Sequence, residues 1–116
     1  MTGLQARLRA DLLTARKARD TAATAALRST LSAIANAEAL PVAEATLSAE
    51  GPIAGAASGV GATEAARRDL TDDDVRGIIS EEQTERLSAA TDLESHGAGE
   101  KAEQLRVEAE LLAAYL

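Results

Sequence analysis

The chain contains no cysteine, tryptophan or phenylalanine, and it has one tyrosine, one histidine and two prolines. Without cysteine it has no disulfides, no thiolate zinc sites and no thiol catalysis. With a single histidine, any nucleophile–imidazole arrangement would rest on His96 alone. His96 falls where a helix is expected to end, a place that favours a cation. Lysine is limited to Lys17 and Lys101, neither in a setting that suits a Ser–Lys pair. The near-absence of aromatics leaves the core to Leu, Ile, Val and many Ala. Such side chains bury little area each, at about 25 cal/mol per Å², but Ala has the highest helix propensity and permits close helix approach. No apolar run approaches the ~20 residues of a membrane span, and the N-terminus lacks a basic-then-apolar leader pattern. A cytoplasmic protein with no membrane association is expected.

What is present is charge, unevenly placed. The 116 residues, enough for a single domain over 1–116, have a net charge of −7. Residues 1–40 hold six basic side chains against three acidic, a net of +3, and residues 41–116 hold six against sixteen, a net of −10. The acidic total argues against nucleic-acid binding by bulk attraction. The basic residues Arg7, Arg9, Arg16, Lys17, Arg19 and Arg28 are nevertheless gathered in the first third and form the candidate face for an acidic partner or RNA.

Apolar periodicity predicts four helices and no strand. Leu4, Leu8, Leu12 and Ala15 mark a helix over about 4–19. Asp20 or Thr21 then caps a second, about 21–40, with Ala23, Leu27, Leu31, Ile34 and Ala35 on one face; Pro41 ends it. Residues 41–70 read as a linker with anchors at Val42, Leu47, Ile53 and Val60. Gly55, Gly59 and Gly61 lie in it without the Gly-Lys-Ser/Thr of a phosphate loop.

Thr71 followed by Asp72-Asp73-Asp74 is a helix entry. The hydroxyl can accept from a free backbone N–H, the carboxylates face the positive end of the dipole, and Asp74 stands where a capping box prefers Glu or Gln. Consecutive acids opening a helix splay apart, unlike the spaced ligands of an EF-hand. A third helix is expected over 72–95, with Val75, Ile78, Ile79, Leu87, Ala90 and Leu93 inward and Glu81, Glu82, Glu85 and Arg86 outward. Gly77 would mark a close helix crossing. Gly97 and Gly99 interrupt it, and a fourth helix, 100–116, carries Ala102, Leu105, Ala109, Leu112 and Leu116 at heptad-like spacing, flanked by Leu111 and Tyr115. Leu105, Ala109, Leu112 and Leu116 are the candidate face for a partner helix or a second copy of the chain. The expected fold is therefore all-α, a small multihelical domain of two helical hairpins joined by a long Gly/Ala-rich loop. No catalytic residue, metal ligand or cofactor site is expected.

Several stretches resemble one family. Leu8-Arg9-Ala10-Asp11-Leu12, Ala15-Arg16-Lys17-Ala18-Arg19-Asp20, Ala26-Leu27-Arg28-Ser29-Thr30-Leu31 and Asn36-Ala37-Glu38 resemble the N-terminal helices of GatB/YqeY-like proteins. Leu70-Thr71-Asp72-Asp73-Asp74-Val75 resembles that family's entry into its third helix, and Glu108-Ala109-Glu110-Leu111-Leu112-Ala113-Ala114-Tyr115-Leu116 its fourth. The stretch Gly59-Val60-Gly61-Ala62-Thr63-Glu64 with Arg67-Arg68 is similar to a longer linker of an actinobacterial short form. The resemblance implies a non-catalytic binding or assembly module related to the tRNA-dependent amidotransferase, a carbon–nitrogen ligase with glutamine as amido donor. Its implied partners are tRNA or amidotransferase subunits. The family's tRNA-contacting tail and catalytic cradle have no counterpart in these residues, so no family catalytic residue maps onto them. The alternative is a structural helical protein that self-associates or binds a partner helix.

Overall fold

The computed structural model describes residues 1–40 and 68–116, and these are helical without strands: α1 Gly3–Ala18, α2 Thr21–Ala39, α3 Asp72–Ser95 and α4 Gly99–Ala113. No described helix is long and apolar enough to cross a membrane. The all-α expectation holds. The linker over 41–70, its apolar anchors and its glycines lie outside the described residues except for Arg68, Asp69 and Leu70.

Side-chain caps start α1, α2 and α3, whereas α4 begins after Ala98 without one. The Thr2 hydroxyl accepts from Gln5 N at 3.1 Å and Gln5 Oε1 accepts from Thr2 N at 2.8 Å, a reciprocal capping box that starts α1 ahead of its first leucine. At the other end Asp20 N donates to Ala15 O (2.9 Å) and Arg19 N to Arg16 O (3.2 Å). This is a Schellman closure, with Arg19 left-handed at φ 56° in the place usually given to glycine. Asp20 then caps α2, its Oδ1 accepting from Ala23 N at 3.1 Å. Thr71 and Asp74 complete a second capping box at α3, with bonds of 2.9 and 3.1 Å, so the shorter Asp serves where Glu is preferred. Gly97, at φ 84°, closes α3 by the same scheme as Arg19, with Ala98 N donating to Leu93 O at 2.8 Å.

The chain divides into two compact units, Met1–Ile34 with Leu70–Leu116, and Ala35–Asp69. In the described part of the smaller unit, Arg68 N donates to Glu38 O at 3.1 Å. In the larger unit α3 and α4 form an antiparallel hairpin. Its core is aliphatic: Leu8, Ile34, Val75, Ile79 and Leu112 are fully buried, among Ala15, Ala26, Ala90, Ala102 and Ala109.

Several inward assignments need correcting. Leu87 is 46% exposed, because the inner seam of α3 runs Val75, Ile79, Glu82, Arg86, Ala90 and Leu87 lies a further quarter-turn round. Ala35 is exposed, and Leu12, Leu31, Ile78 and Leu93 are only half-buried. Gly77 is exposed, and a Cβ there would meet nothing within 4 Å, so it marks no close crossing.

Candidate functional site

The turn from α1 to α2 builds a basic groove. Arg16 lies in the last turn of α1, Arg19 holds the left-handed position, and Thr21, Thr24, Ala25 and Arg28 follow along one face of α2. Together they line a groove of about 360 Å³. Arg16, Arg19 and Arg28 are exposed, and none forms an ion pair among the described residues. Each guanidinium is a planar fork that suits bidentate contact with a phosphate or carboxylate. Holding a non-glycine residue in left-handed geometry costs roughly 1–2 kcal/mol, and here that cost falls on a groove residue.

The six basic residues singled out from the sequence therefore separate. Arg16, Arg19 and Arg28 line one groove. Arg9 and Lys17 are exposed on α1 and do not line the groove. Arg7 is engaged elsewhere: its guanidinium lies 4.7 Å from the centroid of the Tyr115 ring, and its Nε is 3.8 Å from Asp11 Oδ2. The Tyr115 hydroxyl donates to the same oxygen at 2.6 Å, tying the residues just after α4 to α1. Burial first, then the bond to Asp11, push the Tyr115 hydroxyl up to about 12.

The stripe expected on a helix over 100–116 is largely internal, and α4 ends at Ala113, so Leu116 lies beyond it. Ala109 is 2% exposed and Leu112 fully buried; Leu105 is half-buried and only Leu116 is open. The heptad spacing was satisfied by packing within the larger unit, so Leu105, Ala109, Leu112 and Leu116 do not present a continuous face to a partner helix.

Sequence reasoning missed a charged core. Glu82 and Glu108 are 9% and 4% exposed, not solvent-facing. Arg86 bridges them, its Nε donating to Glu108 Oε1 at 2.9 Å and a terminal nitrogen to Glu82 Oε1 at 3.0 Å. Ser29 Oγ of α2 donates to Glu82 Oε1 at 2.6 Å, so the network spans α2, α3 and α4. The signal was in the spacing: Glu82 stands seven residues after Val75 and Glu108 four before Leu112, both at core-facing positions. On α4, Arg106 lies 3.1 Å from Glu94 and 3.8 Å from Glu103.

Asp72 does more than open α3. Its Oδ1 accepts from Leu4 N at 3.2 Å, linking the start of α3 to that of α1. Bonds from Thr2 and then Leu4 hold its carboxyl below the ordinary value of 3.8. The described residues contain no group of three or more His, Cys, Asp or Glu placed to hold a metal ion. His96 is exposed, with Nδ1 2.8 Å from Asp92 O, and the neighbouring Ser95 hydroxyl donates to the same carbonyl at 2.7 Å. The Ser95 hydroxyl and His96 Nδ1 thus both meet the last turn of α3.

No family model, curated protein or solved structure matches the chain.

Proposed function

We propose that the protein is a non-catalytic binding module whose groove at the α1–α2 turn takes the phosphate groups of an anionic partner. One observation carries the reading: Arg16, Arg19 and Arg28, none of them in an ion pair among the described residues, line one groove in a chain whose net charge is −7. Local positive charge kept against an acidic background selects an anionic ligand more than bulk attraction does. The resemblance to GatB/YqeY-like proteins gives the partner its identity in this proposal, tRNA. The groove supplies contacts to backbone phosphate and no chemistry, so amide transfer belongs to a partner.

The test is a gel-shift or filter-binding titration with tRNA. Three phosphate contacts predict a slope of about −2 in log K against log salt for a single strand, an affinity loss of roughly twentyfold between about 50 and 200 mM salt. The variant Arg16→Ser/Arg19→Ser/Arg28→Ser should lose binding, whereas Arg9→Ser/Lys17→Ser should keep most of it. Equal binding by both variants, or none by the intact protein at low salt, overturns the proposal.

A further inference from the structure

A second concavity, independent of the basic groove, lies among α1, α2 and α4. It encloses about 230 Å³, and its walls are aliphatic: Ala15, Ala23, Ala26, Leu27, Leu111 and Leu112. The remaining lining groups are Ala18 and four polar residues, Asp11, Thr14, Asp20 and Tyr115. Both hydroxyl protons are already committed, Thr14 donating to Ala10 O at 3.2 Å and Tyr115 to Asp11 Oδ2 at 2.6 Å. The carboxylates are not saturated. Asp11 Oδ1 and Asp20 Oδ2 accept no hydrogen bond among the described residues, while Asp11 Oδ2 serves Tyr115 and Asp20 Oδ1 serves Ala23 N. The cavity thus offers acceptors and methyl groups, a combination suited to cationic donors on an aliphatic body.

The spacing narrows this further. At about 1.5 Å per residue, Asp11 lies roughly 10 Å along α1 from Ala18, beyond which the chain turns at Asp20. The two carboxylates therefore sit toward opposite ends of the apolar wall. Two ammonium groups separated by roughly 6–7 Å of extended methylenes, each adding a bond of about 2.8 Å, span a comparable distance. We propose that this cavity binds a short linear aliphatic diamine, with one ammonium at Asp11, the other at Asp20, and the methylenes against the alanines and leucines between them. Arg7, which approaches Asp11 on its Oδ2 side, is not part of the lining.

Calorimetric titration of the intact chain with tetramethylenediamine, n-butylamine and butanediol tests the assignment. The diamine should bind about fivefold tighter than the monoamine, the increment of one partly exposed ion pair, and the diol more weakly than either. Asp11→Asn and Asp20→Asn should each reduce diamine affinity to the monoamine level. Asn caps a helix as well as Asp, so Asp20→Asn preserves the start of α2, and a thermal melt of each variant checks that it folds. Ala18→Leu, at an exposed lining position, should abolish diamine binding by filling the cavity. Arg16→Ser/Arg19→Ser/Arg28→Ser should leave diamine binding intact, which separates this site from the phosphate groove. Diamine binding unaffected by both Asp substitutions, a diol that matches the diamine, or no diamine binding by the folded wild type each overturns the proposal.

Discussion

Replacing Arg86 by methionine isolates the energetics of the charged core. Methionine keeps most of the side-chain length and removes the cation. In the native chain the Arg86, Glu82 and Glu108 side chains retain 10, 12 and 5% exposure, so water screens them little. Without Arg86, two carboxylates remain buried with, among the described residues, only the Ser29 hydroxyl at 2.6 Å and Gln104 at 3.4 Å to solvate them. Removing one partner of a buried ion pair costs about 3–5 kcal/mol, a large share of the roughly 5–15 kcal/mol available to a domain. That loss corresponds to a fall in Tm on the order of 15 °C for a chain of this size. Urea unfolding monitored by circular dichroism, with Cm and m fitted separately, measures it. The penalty should change little with added salt, because buried pairs are weakly screened. The triple variant Glu82→Gln/Arg86→Met/Glu108→Met removes both charges and cation together and should lie within about 1 kcal/mol of the wild type, since replacing a whole buried ionic cluster is often neutral. The reasoning fails if Arg86→Met costs less than about 1 kcal/mol at an unchanged m value, or if the triple variant is as unstable as the single one.

Three further outcomes follow from local geometry. Arg19→Gly relieves left-handed strain at φ 56° and should raise stability by up to about 1 kcal/mol after glycine's own entropy cost, while weakening anion binding; unfolding and tRNA titrations on one preparation would show opposite signs. Asp72 has a lowered native pKa, so its contribution is present above the ordinary carboxylate value of 3.8 and is lost as pH falls through the lower native one; the stability difference between wild type and Asp72→Asn should be constant near neutral pH and vanish in strong acid. Tyr115 has a raised native pKa, so ultraviolet titration should place its ionisation near 12 with stability declining between about 10 and 12, and Asp11→Asn should move the midpoint back toward 10.0.

Local chemistry alone determined the helices. Thr71 and the acids behind it, Asp20 after a basic last turn, Pro41 after Leu40 and the glycines after Ser95 act within a few residues of where they stand, so their effects can be read one turn at a time. The all-α class and the bounds of α3, 72–95, follow from such signals. Which faces meet was settled by packing. Glu82 and Arg86 read as outward-facing because spacing along one helix says nothing of Glu108 on another or Ser29 on a third. The α4 stripe read as a docking surface because apolar periodicity marks a buried face without naming what buries it. Six basic residues read as one patch because charge counting ignores rotation about the helix axis: only tertiary structure sent Arg7 to Tyr115 and gathered Arg16, Arg19 and Arg28 into one groove. Short-range hydrogen bonding is written in order along the chain, whereas the neighbours of a side chain are chosen by elements distant in sequence, and that choice created both the groove and the acid-rimmed cavity.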